Sequence, residues 1–205
     1  MVNGLEWIAH AETVRVRQQI EWGEVLTGFQ VRNRYVIDDG HERFTVRAEE
    51  VANGMGGFAI RQFFKAKRPF VIQLFDGMGT VVLEVRRPWR FFFSRVEVRD
   101  GRGAAIGAVQ QRWAWFARRY TLEDPFGREI ADLHGPFFRP WTFRVEVEGR
   151  TSGFIRKKWV GLTKEAMTTA DTFRLELGPS LDRTLRTLCV AATLLIDFVQ
   201  FEYSR

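Results

Sequence analysis

Residues 181–203 read LDRTLRTLCVAATLLIDFVQFEY. Leu185, Leu188, Cys189, Ala192, Leu195, Ile196 and Val199 recur at helical spacing, and Val190, Ala191, Leu194 and Phe198 fill the other faces. A helix apolar nearly all round must be buried, in a protein core or in a bilayer. The run from Leu185 to Val199 is 15 residues long and is interrupted by Arg186 and Asp197. A membrane span needs ~20 predominantly apolar residues, so this run is too short and too charged to be a comfortable one. Everything before it reads as strands. The expected fold is therefore one domain over residues 1–205, an all-β closed antiparallel barrel of about twelve strands enclosing a single C-terminal hydrophobic α-helix at about 181–203.

The strands announce themselves by alternation. Val14, Val16, Gln18 and Ile20 alternate with Arg15, Arg17 and Gln19, the pattern of a half-buried strand. Further strands are expected at Phe29–Arg32, Arg34–Ile37, Arg43–Ala48, Phe70–Phe75, Val81–Val85, Val96–Arg99, Ile106–Gln110, Tyr120–Glu123, Glu129–Leu133, Phe143–Val147, Gly153–Lys157 and Thr172–Leu177. Turns fall at Asp39-Gly40, Asp76–Gly79, Asp100-Gly101, Asp124–Gly127 and Glu148-Gly149, where Asp-Gly is expected to supply the positive φ of a tight hairpin. Gly178-Pro179-Ser180 breaks the last strand, and Ser180 or Asp182 is placed to cap the helix. Gly107–Trp113 and Gly153–Trp159 share G-x-[V/I]-x-x-x-W. Both copies form the second strand of a hairpin, which points to repeated hairpin geometry.

A formal charge of +6 and a pI near 10.0 suit an anionic partner, either lipid headgroups or nucleic acid. A single cysteine, Cys189, excludes an intramolecular disulfide and a multi-cysteine zinc cluster, and its place in the apolar helix makes it a small buried hydrophobe. The opening residues carry no secretory signal pattern and no Gly at position 2 for myristoylation, so a cytoplasmic location is expected. No HExxH, GxSxG or glycine-rich phosphate loop is present, and His10, His41 and His134 are scattered. The chain does not read as an enzyme, and no cofactor is expected.

Several stretches together resemble the phospholipid scramblase family, in particular its short members of bacterial type. They are Gln18–Phe29 with Tyr35; Arg68-Pro69-Phe70, Asp76–Gly79 and Arg87-Pro88; Trp159–Phe173; and Leu195–Phe198 with Phe201-Glu202. The resemblance implies a tubby-like barrel around one C-terminal helix and a function at phospholipid membranes. Animal members carry a Pro-rich N-terminal extension and Cys-rich loops that accept palmitate; this sequence shows neither. The family's proposed calcium segment aligns with Thr169–Ser180, leaving Asp171 and Glu176, with Asp182 nearby, as calcium candidates. Thr169 and Ser180 stand where animal members have carboxylates. Calcium wants six to eight oxygens and several carboxylates, so the strand-and-cap reading is preferred to a tight metal site.

In a meander, alternate connections emerge at one end. Four connections would share the end opposite the Asp-Gly turns: Gly57–Arg68, Arg86–Phe93, Arg112–Arg119 and His134–Trp141. All mix Phe or Trp with Arg or Lys, whereas loops are ordinarily polar. Trp favours the membrane interface, and Arg pairs with lipid phosphate. The candidate lipid-binding residues are Phe63, Phe64, Arg87, Trp89, Arg90, Phe92, Trp113, Trp115, Arg118, Arg119, Phe138, Arg139 and Trp141. The expected function is peripheral binding to an anionic phospholipid membrane, with assistance to lipid movement between leaflets as its extension. The alternatives are stacking of nucleic-acid bases on the same loops, a protein-interaction scaffold or homo-oligomer interface, and rings folded inward to plug the barrel.

Overall fold

The computed structural model describes residues 4–19, 33–51, 69–90, 92–115, 117–139, 141–158 and 169–200, with the backbone alone for residues 169–171 and 200. A 3-10 turn, Glu6–Ala9, precedes β1 (Thr13–Gln19), β2 (Arg34–Asp38), β3 (Thr45–Val51), β4 (Phe70–Phe75), β5 (Val81–Arg87) and β6 (Arg95–Asp100). Then come β7 (Ala105–Arg112), β8 (Ala117–Glu123), β9 (Glu129–Pro136), β10 (Thr142–Val147), β11 (Arg150–Lys158), β12 (Thr169–Leu177) and the helix α1 (Arg183–Gln200). Every strand pairs antiparallel with its neighbours in sequence, and β1 pairs with β12 to close the barrel, with Val14 opposite Leu175 and Val16 opposite Phe173. The expected strand at Phe29–Arg32 lies outside the described residues.

Twelve strands ~4.8 Å apart and tilted by ~40° close at a radius of about 12 Å. A helix with its side chains is ~10–12 Å across, so this lumen takes one. From Leu188 to Phe198 every residue of α1 is buried. The two charges that interrupt the apolar run are both satisfied inside. Arg186 donates to the carbonyls of Leu181 (2.6 Å), Gly178 (2.8 Å) and Ala11, which ties α1 to the turn before it and to the N-terminal segment. Asp197 accepts the Tyr35 hydroxyl at 2.9 Å. The helix begins at Arg183 because Asp182 caps it: its Oδ1 accepts the Leu185 N–H at 2.8 Å.

The turns correct one expectation. Gly40 takes the positive φ as expected, but in Asp76–Thr80 and Asp100–Ala104 it falls on Gly79 and Gly103, not on the glycine that follows the aspartate, and in Asp124–Arg128, where proline follows the aspartate, it falls on Gly127. The repeated unit is Asp-x-x-Gly. Each aspartate Oδ1 accepts two backbone N–H groups across its turn, from Met78 and Thr80, Arg102 and Ala104, or Phe126 and Arg128. A type I turn closed by a left-handed glycine is the three-residue hairpin solution. Among the described turns, only Glu148-Gly149 has both central residues at positive φ.

The G-x-[V/I] repeat also has a geometric cause. The register shifts just after Val98 opposite Gly107, and again after Val145 opposite Gly153. At each bulge the next strand's carbonyl comes close. A Cβ on Gly107 would lie 2.2 Å from the Glu123 carbonyl oxygen, and one on Gly153 would lie 2.5 Å from that of Glu176. Such bulges increase local twist and help the sheet curve.

Outward strand positions carry charge. Arg15 and Arg17 meet Asp38; Arg112 meets Glu123 and Glu129; Arg119 meets Asp132; Arg144 meets Glu146; Arg156 meets Glu176. This is a wall built for water. An arginine on a lipid-facing strand costs ~2–4 kcal/mol at the bilayer midplane, so a row of such residues holds the barrel out of the hydrocarbon. Among the described residues no helix is long and apolar enough to cross a membrane.

Candidate functional site

Strand alternation sorts the connections into two ends. The Asp-x-x-Gly turns occupy one; the connections β5/β6, β7/β8 and β9/β10 occupy the other, where α1 also finishes. These three connections leave six strands that are consecutive around the barrel, so the loops stand side by side. Pro88 stops β5, because it has no N–H for the ladder. Between Pro136 and Thr142 the chain turns on itself, the Arg139 N–H donating to the Pro136 carbonyl at 3.0 Å and the Thr142 N–H to that of Arg139 at 3.1 Å.

The described rings on these loops face outward. Phe92, Trp115 and Phe138 are 86%, 78% and 91% exposed, and Trp113 and Phe137 are also well exposed. Trp89, Phe93 and Trp141 are partly exposed. Trp113 and Trp115 meet edge to face at 4.7 Å, as do Phe137 and Phe138 at 5.8 Å, so the rings form pairs on the rim. Arg90 and Arg139 are exposed among them. Residues 88–94, 113–116 and 137–141 contain no carboxylate. The opposite end differs: its exposed apolar side chains, Phe44, Met78 and Phe126, sit one to a connection, and each of those connections carries an aspartate.

The sequence candidates divide accordingly. Trp89, Arg90, Phe92, Trp113, Trp115, Phe138, Arg139 and Trp141 gather at this one end. Arg87 does not join them. It follows Leu83 and Val85 on the inward face of β5 and is buried, its guanidinium 5.3 Å from the Phe198 ring centre and 5.9 Å from that of Phe70. Its Nη2 donates to Ser94 Oγ at 2.8 Å. Phe70 and Phe198, 4.5 Å apart, stop the barrel mouth from inside, so the plug is made by these rings and the loop rings stay outside. Arg118 is also inward, over the Phe143 ring at 5.8 Å, and burial pushes its guanidinium below the ordinary value while Tyr120 opposes. Arg119 points out to the wall and donates to Asp132 at 2.9 Å. Phe63 and Phe64 lie outside the described residues.

Sequence reasoning did not single out Phe93 and Phe137, although both lie in the loops it named. It also missed the polar layer beneath the mouth, where Gln18 donates to Asn33 (3.1 Å) and Asn33 to Glu50 (3.2 Å). The inward parity of β1 and β3 was its only signal. Of the calcium candidates, Glu176 is on the outer wall with Arg156 and Arg174, Asp182 caps α1, and the side chain of Asp171 lies outside the described residues.

A sequence model described as Scramblase matches residues 1–203. The chain belongs to the scramblase family. It is 29% identical over 214 residues to phospholipid scramblase 1 of Homo sapiens, covering 97% of this chain and 66% of that relative. To phospholipid scramblase 2 of Bos taurus it is 28% identical over 217 residues, covering 98% of this chain and 72% of the relative. A shorter match, 32% identical over 90 residues, covers 44% of this chain and 28% of altered inheritance rate of mitochondria protein 25 of Saccharomyces cerevisiae. This scramblase-family chain thus spans about two thirds of the length of the human relative. No solved structure matches it.

Proposed function

We propose that this scramblase-family protein is a peripheral membrane protein that docks on the cytoplasmic face of anionic phospholipid bilayers by the aromatic end of its barrel. One observation carries the reading: three adjacent loops expose Trp and Phe rings, paired on two of them, with Arg90 and Arg139 and no carboxylate. Rings of this kind favour the water–lipid interface, and arginines beside them attract anionic headgroups. The charged wall limits entry to the loops themselves. The names of the similar proteins, phospholipid scramblases, agree with a lipid partner.

The helix fills the lumen, so lipid headgroups do not travel through the barrel. Any assistance to movement between leaflets arises where the loops disturb the leaflet they enter. Flotation with neutral and phosphatidylserine-containing vesicles tests the reading, with a labelled-lipid reporter of transbilayer movement in the same samples. Binding that rises with phosphatidylserine and falls with salt is expected. Binding to single-stranded oligonucleotides with none to vesicles would replace it by the nucleic-acid reading.

A further inference from the structure

The rim also says what kind of membrane it should select, provided it docks on membranes at all. Two forces act there and their sizes differ. An arginine near an anionic surface contributes about fivefold in partition. A ring that removes ~100 Å² from water contributes roughly seventyfold at 25 cal/mol per Å². The described loops offer two exposed arginines, Arg90 and Arg139, against three rings, Phe92, Trp115 and Phe138, that are each more than three-quarters exposed. On these described loops apolar insertion therefore outweighs Coulomb attraction.

Insertion has a geometric condition. The rings project on short loops from the end of a closed barrel, paired on two of those loops, and the ion-paired wall behind them stays in water. The rim enters one leaflet to the depth of the side chains and no further. Bulky rings at that depth need space between headgroups. Surfaces rich in apolar bulk and sparse in charge respond to lipid packing, whereas strongly basic ones respond to lipid charge. We infer that the rim of Phe92, Trp115 and Phe138 is a sensor of loosely packed bilayers, so that the protein binds strongly curved membranes in preference to flat ones of equal or greater negative charge.

The experiment is flotation of the full chain with small sonicated and large extruded vesicles, each made of phosphatidylcholine alone or with phosphatidylserine, at equal accessible lipid. The expected result is several-fold tighter binding to small neutral vesicles than to large anionic ones. Trp115→Ser with Phe138→Ser should flatten the size dependence while the thermal melt stays unchanged, because both rings are exposed. Arg90→Gln with Arg139→Gln should lower the response to phosphatidylserine and leave the size ratio intact. Binding set by phosphatidylserine content and indifferent to vesicle size would overturn the inference and leave membrane docking standing. No binding to any vesicle, or a dimer dispersed by the two serine substitutions, would overturn the docking reading itself.

Discussion

Arg186→Met is the most informative single perturbation of the fold. The guanidinium is buried and donates to three carbonyls from two parts of the chain, that of Ala11 in the N-terminal segment and those of Gly178 and Leu181 in the turn before the helix. Burial pushes its pKa below the ordinary value, with Cys189, Asp182 and Glu12 opposing, so the interior tolerates the cation because of these partners. Methionine matches the stem and removes the fork. Each hydrogen bond to a charged group is worth ~1.5–3 kcal/mol, and a buried acceptor left without a donor loses ~1–3 kcal/mol. Relief of the desolvated charge offsets part of this, leaving a loss of about 3–5 kcal/mol. Against a domain stability of ~5–15 kcal/mol that loss is large. Urea unfolding followed by circular dichroism would measure it, and limited proteolysis would show residues 4–12 released first. Arg186→Lys keeps the charge but not the planar fork, and should fall between the two. A loss under about 1 kcal/mol for the methionine variant would refute the clamp, since the three carbonyls would then be satisfied without it.

Cys189 is fully buried and burial pushes its thiol up to about 12, against the opposing influence of Arg186. It should resist thiol reagents at neutral pH in the folded protein and react at the rate of unfolding. Desolvation is the largest single influence on Asp39 and Asp124 and raises both, but the hydrogen bonds together with the neighbouring arginine charge outweigh it: the Arg43 guanidinium and the backbone N–H groups of His41 and Arg43 at Asp39; the backbone N–H and guanidinium of Arg128 and the Phe126 N–H at Asp124. Their folded pKa values therefore lie below 3.8. The stability they add is complete above the unfolded value and is lost as pH falls through the folded one. Melting temperatures should drop below about pH 4, and the drop should be shallower in Asp39→Asn/Asp124→Asn. With Glu176 engaged by Arg156 and Asp182 by the helix N-terminus, calcium at physiological concentration should leave the melting temperature unchanged. Micromolar binding abolished by Asp171→Ala would contradict that.

The barrel and its helix were legible because both rest on periodicity. Val14 and Val16 on β1, or Leu83 and Val85 on β5, follow the two-residue repeat of a wall with one dry face. The helix was legible because no solvent face remained once Val190, Ala191, Leu194 and Phe198 were counted. At Asp39-Gly40 the glycine takes the positive φ that the sequence suggests, but at Asp76 and Asp100 the same Asp-Gly signal misleads, because the decisive glycine, as at Gly79, lies two residues further on. Arg87 was misplaced for a related reason. Its neighbours Pro88, Trp89 and Arg90 look like loop, but parity with Leu83 and Val85 sends it inward to Phe70 and Phe198. The gathering of Trp89, Trp115 and Phe138 at one end followed from counting strands. Their exposure did not, because a ring at a strand end can equally turn into the mouth, and only the space already filled by Phe70 and Phe198 decides which.

Membrane docking by this end is tested most directly with single-tryptophan proteins and vesicles whose acyl chains carry bromine. In one protein Trp115 is kept and every other tryptophan is replaced by Phe; in the other only Trp7, buried at the opposite end, is kept. Docking through the aromatic rim predicts that brominated lipid quenches Trp115 strongly and leaves Trp7 unchanged. Quenching of Trp7, or of neither residue while the protein is bound to vesicles, would contradict it.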